Sequence, residues 1–99
     1  MKRLKGSQRT YLRGLANSLK PVVQIGKNGL TPEIISTVRA ALEAHELIKI
    51  KFLEFKEERK ALSKSIEEQT ESELVGIIGH VAIYYKQNPD AGKRKIPIA

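Results

Sequence analysis

The residue pattern calls for an α/β fold: a mixed four-stranded sheet packed with helices, in the order α-β-α-β-α-β-β. Two strand-like runs, Val22–Ile25 and Leu47–Leu53, alternate with helical segments. With the later run Leu74–Ile78 they form two strand–helix–strand units, which favour parallel pairing through right-handed crossovers. Two further apolar runs, Leu74–Ile78 and Val81–Tyr85, are separated only by Gly79-His80, so a hairpin adds one antiparallel strand. At 99 residues the chain fits a single domain, with a core over about residues 7–86 and a basic tail at 87–99.

Each element has its own local cause. Ser7 reads as an N-cap for a first helix over Gln8–Leu19, whose apolar positions are Tyr11, Leu12, Leu15, Ala16 and Leu19. Pro21 ends it. Val22-Val23-Gln24-Ile25 is β-branched and reads as a strand, and Gly26-Lys27-Asn28-Gly29 as a turn. Thr31-Pro32-Glu33 supplies a cap, a first-position proline and a first-turn acid for a second helix. That helix runs to about Ala44 and buries Ile34, Ile35, Val38, Ala41 and Leu42.

In Leu47–Leu53, Ile48, Ile50 and Phe52 share one face, and Lys49 and Lys51 the other. The alternation predicts a sheet with one covered face and one wet, basic face. Glu57–Thr70 reads as a third helix anchored by Ala61, Leu62 and Ile66, with Lys64 four residues before Glu68. Tyr84 and Tyr85 fall on opposite faces of the last strand, so one is expected in the core.

The charge is unevenly spread. The net charge is +7, yet Met1–Leu30 holds seven cations (Lys2, Arg3, Lys5, Arg9, Arg13, Lys20, Lys27) and no carboxylate. The middle of the chain is slightly acidic, and Gly79–Ala99 is again basic, with Lys93-Arg94-Lys95 in the tail. A one-signed field of this kind attracts a polyanion. The absence of cysteine leaves no disulfide or thiolate metal site and suits a reducing compartment, so a cytoplasmic protein is expected. No apolar run approaches the roughly 20 residues of a membrane-spanning helix, and the first residues lack the apolar stretch of a secretory signal. No membrane association is expected.

Gly26-Lys27-Asn28-Gly29 carries the functional expectation. It lies between a strand and a well-capped helix. Two glycines permit a sharp turn and close approach of another backbone, the helix start offers N–H groups, and Lys27 adds a full charge. These features suit a sugar-phosphate backbone, the use KH domains make of a GxxG loop, although there the loop joins two helices. Gly76-Ile77-Ile78-Gly79 matches the same pattern with apolar middle residues in a strand. It reads as structural: Gly76 for close packing, Gly79 for the turn.

Four stretches carry a family resemblance: Gln8–Ala16, Pro21–Thr31, Leu42–Lys51, and Ile78-Gly79 followed by Val81–Tyr85. Together they resemble the CRM domain (chloroplast RNA splicing and ribosome maturation), and a single free-standing copy is similar to the bacterial YhbY-like proteins. The resemblance implies a fold similar to the C-terminal domain of translation initiation factor three. It also implies an RNA-binding GxxG loop, matched by Gly26 and Gly29, and association with precursors of the large ribosomal subunit.

Rival classes are weaker. A nucleotide-handling enzyme would need the full P-loop pattern, which is missing, and carboxylates near the phosphates, whereas the one aspartate is Asp90 in the tail. His45 and His80 lack companions for a metal site, and no cofactor is expected. A DNA-binding or nucleoid protein is the other alternative, but the second helix carries only Arg39, unlike a basic recognition helix. Aromatics are 5% of the chain, so backbone and shape recognition of folded RNA fits better than base stacking.

The partner that the resemblance implies is structured ribosomal RNA or a pre-ribosomal particle, bound by a protein that is expected not to be an enzyme. The oligomeric state is open, with a monomer the expected form. The expected contacts are Gly26, Lys27, Asn28 and Gly29, extended along the first helix by Lys5, Arg9 and Arg13, with Lys20 near the same edge. Lys49, Lys51 and Lys93–Lys95 are outer candidates. Gly29→Asp is expected to weaken binding while leaving the fold intact.

Overall fold

The computed structural model describes residues 3–54 and 57–98; Lys2, counted among the basic residues above, lies outside them. The order is α1 (Gly6–Ala16), β1 (Val23–Ile25), α2 (Pro32–His45), β2 (Leu47–Phe52), α3 (Arg59–Thr70), β3 (Glu73–Ile78) and β4 (Val81–Tyr85), then a 3-10 turn at Ala91–Lys93. The α/β class and element order match expectation. β1 pairs parallel with β2, and the closing hairpin inserts β4 between β2 and β3, giving the strand order β1-β2-β4-β3.

Local chemistry accounts for the boundaries. Thr31 caps α2 as expected, its Oγ1 accepting the Ile34 N–H at 3.2 Å, with Pro32 opening the helix and Glu33 in its first turn. α1 differs from expectation. It begins at Gly6, so Ser7 lies inside it and is not the cap; Lys5 is the N-cap residue, and its N–H donates to Gln8 Oε1 at 2.8 Å. It ends at Ala16, three residues before Leu19, as the Leu19 N–H turns back to the Ala16 carbonyl at 3.0 Å. α3 starts at Arg59, with Ile66, Ser63 and Thr70 buried; Ala61 faces solvent. Glu67 accepts the Leu74 N–H at 2.6 Å, and among the described residues Arg9–Glu73 is the one ion pair, so Lys64 and Glu68 do not meet.

The principal core lies between the sheet and the helices α2 and α3: Ile25, Ile48, Ile50, Phe52, Ala82 and Tyr84 meet Val38, Leu42 and Ile66. Tyr84 is wholly buried, and its hydroxyl donates to the Ser63 carbonyl at 2.8 Å. Burial pushes that phenol well above the usual tyrosine range.

The expectation of one bare face is corrected. α1 lies on the other side of the sheet and forms a second core, in which Leu12 and Ala16 pack with Leu47, Val75, Ile83 and Tyr85, edged by Leu4, Ile96 and Ile98. Both tyrosines are consequently buried. A short helix covers a narrow strip, so its apolar Tyr11 and Leu15 remain partly exposed, as does Leu19 beyond its end. The cover is also partial along the strands, and the half of this face that carries Lys49, Lys51, Val81 and Ile78 lies beyond α1; Ile78 is 57% exposed.

Candidate nucleic-acid interface

One end of the sheet gathers the expected loop. β1 and β2 run in the same direction and finish together at Ile25 and Phe52, and the β3–β4 turn reaches the same end, where the Phe52 N–H donates to the His80 carbonyl at 2.7 Å. From Ile25 the chain turns through Gly26–Gly29 into α2. The Gly29 N–H closes the turn on the Gly26 carbonyl at 3.0 Å, leaving Lys27 and Asn28 exposed at its tip.

The two glycines are there for different reasons. Gly29 is buried and has φ of 64°, a left-handed conformation that side chains resist. The turn itself explains it, and an aspartate there would be strained as well as buried. The expectation that Gly29→Asp leaves the fold intact is therefore corrected. Gly26 has no such need: its φ lies outside the left-handed range, and a Cβ added there would meet nothing within 4 Å among the described residues.

The second GxxG is structural, as expected. A Cβ on Gly76 would approach Arg13 Cδ to 3.3 Å, and Gly79 turns the hairpin with φ of 58°. Arg59 on α3 braces that turn, donating to the Gly79 carbonyl and lying 2.9 Å from His80 Nδ1. His45 closes α2 and is exposed. Among the described residues, no three His, Cys, Asp or Glu side chains gather where a metal ion could be held.

The basic residues expected around the loop are spread more widely than their order suggested. Arg9 is committed to the fold: one terminal nitrogen donates to Glu73 Oε2 at 2.6 Å and the other to the Leu74 carbonyl at 2.7 Å, and the Glu73 side chain is only 4% exposed. Lys5 sits at the opposite end of the sheet, because the neighbouring Leu4 N–H is held by both Glu73 oxygens at 3.0 and 2.9 Å. Arg13 lies over Gly76 in mid-sheet, where it meets Thr10 Oγ1 at 3.3 Å. Lys20 is exposed just before β1, beside Leu19, whose carbonyl accepts from Lys49 Nζ at 3.1 Å. The cations closest in register to the loop are Lys27 and Lys51, since Lys51 pairs with Gln24, two residues before Gly26.

Lys51 and Lys49, ranked only as outer candidates, thus connect the loop to the open half of the sheet. The side chains standing there (Gln24, Lys49, Lys51, Ile78 and Val81) include no carboxylate. Their strand alternation was the signal for this face; the strand register that brings Lys51 beside the loop is invisible without the fold.

Arg9→Ala is expected to destabilise the protein by about 2 kcal/mol, because it strands a buried carboxylate. The RNA affinity of the folded fraction should stay unchanged. Urea unfolding beside a binding titration separates the two effects.

Comparisons with known proteins bear on the family and the fold. The profile of the CRS1 / YhbY (CRM) domain matches residues 4–86. A Haemophilus influenzae protein named "RNA-binding protein" is 38% identical over 92 residues, covering 92% of this chain and 93% of its own. A Bacillus subtilis relative, "Probable RNA-binding protein YqeI", is 33% identical over 95 residues, covering 95% and 99%. The solution structure of a candidate RNA-binding protein from Staphylococcus aureus superposes with a TM-score of 0.78 at 36% identity, covering 96% of this chain and all of that one.

Proposed function

The chain belongs to the CRS1 / YhbY (CRM) domain family, and we propose that it binds structured RNA, with the Gly26–Gly29 loop against the sugar-phosphate backbone. One observation carries the reading. Gly26 is a glycine that the fold does not require, standing open beside Lys27 and one strand from Lys51. The missing side chain lets the backbone of the partner approach, and the lysines supply the countercharge. Lys49, Lys20 and Arg13 continue the contact over the open half of the sheet, while Arg9 serves the fold.

A binding role also suits what the loop lacks. The carboxylates that would hold a metal against a phosphate are not assembled around it, since no metal-competent group occurs among the described residues. Duplex recognition through a basic helix is disfavoured as well, because α2, the helix that follows the loop, carries a single arginine whose guanidinium is bonded to the Gln69 carbonyl.

For the RNA itself we propose large-subunit ribosomal RNA in an assembling particle, which the family resemblance favours. The setting would be the cytoplasm, with the protein acting as a monomer; no helix of the described residues is long and apolar enough to cross a membrane. Crosslinking in cells followed by sequencing of the attached RNA should return large-subunit precursor segments above all others. Recovery dominated by messenger or transfer RNA would overturn that assignment and leave the RNA-binding reading standing.

Lys27→Ala is expected to weaken binding across RNA sequences and to lower the slope of log affinity against log salt by about 0.9. Titrations between low and moderate salt measure it. An unchanged slope would mean that Lys27 touches no phosphate.

A further inference from the structure

The sequence is basic at both ends, and the fold brings those ends together. Two buried glutamates do so. Glu73 holds the Leu4 N–H and the Arg9 guanidinium. Glu46 accepts backbone N–H groups from Asn88, Lys95 and Ile96 at 2.6, 2.6 and 3.0 Å. Between the two segments lies a cleft of about 600 Å³, and Arg3, Lys5, Lys86 and Arg94 line it.

Glu71 is the one carboxylate among the described residues on its wall. None of the four cations is in an ion pair, the only such pair among the described residues being Arg9–Glu73. Lys86 Nζ meets the Thr70 carbonyl at 3.3 Å and Arg94 Nε the Asn88 carbonyl at 2.9 Å, which leaves each with further donors. The Tyr85 phenol also lines the cleft; its hydroxyl is buried and has no hydrogen-bond partner among the described residues. α1 begins beside it with no acid in its first turn, so the positive end of that helix adds to the field.

We propose that this cleft is a second phosphate-binding site, seating a backbone phosphate of the same RNA at the end of the sheet opposite the loop. This rests on the RNA-binding reading and extends it. Four cations outside any ion pair, facing one wall carboxylate, around one concavity fit a tetrahedral oxyanion with several acceptor oxygens. An acceptor entering beside Arg94 also gives the Tyr85 hydroxyl the partner it lacks. β2 runs six residues from the cleft end at Leu47 to the loop end at Phe52, so the two sites lie about 20 Å apart. A helically stacked strand that fills both spans about six nucleotide steps, and the three phosphates of a tetranucleotide reach only one.

The test is the double variant Arg3→Gln/Lys5→Gln, whose side chains are exposed and outside the two glutamate clasps. With an RNA of about twelve nucleotides, affinity should fall about tenfold and the salt slope should drop by between one and two. Tetranucleotide affinity should change far less. In ¹⁵N NMR spectra of the wild type, inorganic phosphate alone should shift the amides of Lys5, Lys86 and Asn88 saturably.

If the long RNA binds wild type and double variant with equal affinity and slope, the cleft contacts no RNA phosphate and the inference is overturned, while the loop reading survives. If the wild type binds no RNA, the reading itself fails. The phosphate titration then decides the cleft: saturable shifts support a site for free phosphate, and flat spectra end the proposal.

Discussion

Glu46→Ala is expected to destabilise the protein by about 3 kcal/mol and to lower Tm by about 15 °C. Glu46 is fully buried at the C-terminal end of α2. Its carboxylate accepts the N–H groups of Asn88, Lys95 and Ile96, and its own carbonyl accepts the Lys86 N–H at 2.8 Å. Orphaned buried donors cost about 1–3 kcal/mol each, but the tail can detach and let water satisfy them. Loss of the packing of Ile96 and Ile98 on the second core then sets the cost.

Comparison of substitutions isolates the mechanism. Glu46 also has φ of 65°, so Glu46→Gly removes the carboxylate while relieving the backbone, and should be about 1 kcal/mol milder than alanine. Glu46→Gln keeps the shape but turns an amide donor toward one of the three N–H groups, and should fall between wild type and alanine. Chemical denaturation of the three variants ranks them.

The same clasp gives a pH dependence of defined sign. Burial pushes the Glu46 carboxyl up, but the three backbone N–H groups and the Arg94 charge together outweigh it, holding the carboxyl below its ordinary value of 4.5. A group with a depressed folded pKa contributes its stability above the unfolded value and loses it as pH falls through the folded one. The stability advantage of wild type over Glu46→Gln should therefore be complete above pH 4.5 and shrink below it.

Gly26→Asp carries the largest expected effect on binding. It places a carboxylate where the partner's phosphates are proposed to lie, beside Lys27, and removes the close approach that glycine permits. Affinity for RNA should fall more than about tenfold at moderate salt. Stability should move by less than about 0.5 kcal/mol, because a Cβ there has free space and no unusual φ to accommodate. Gly26→Ala, carrying no charge, should lose less. Gly29→Asp cannot serve the same purpose, since its left-handed, buried position makes folding and binding fail together.

What could be read from the residues follows a physical divide. α2 was legible because Thr31, Pro32 and Glu33 act on their own helix within one turn. β2 was legible because Ile48, Ile50 and Phe52 alternate with Lys49 and Lys51, a pattern that burial on one side imposes. The loop was legible as two glycines between a strand and a cap.

The rest depends on contacts between residues far apart in the chain. Nothing near Glu46 announces that it holds Asn88 and Ile96, some 42 and 50 residues away. A glutamate directly after a helix C-terminus opposes the helix dipole, and that mismatch was the available hint of a buried partner. Arg9 looked like one cation in a stripe until Glu73 arrived from β3 to claim it. Likewise the second core could not be deduced from α1 alone, because Leu4, Ile96 and Ile98 complete it from the two flanks. The closing hairpin was evident, but its place between β2 and β3 is a matter of topology.

The most direct test of the loop's role is an amide map of the bound state. ¹⁵N-labelled protein is titrated with structured RNA at fixed salt, and each resonance is followed. The account predicts that Gly26, Lys27, Asn28 and Lys51 shift or broaden first and most, with the exposed face of α3 unmoved. Perturbations centred on α3, with the loop resonances unchanged at saturation, would contradict it.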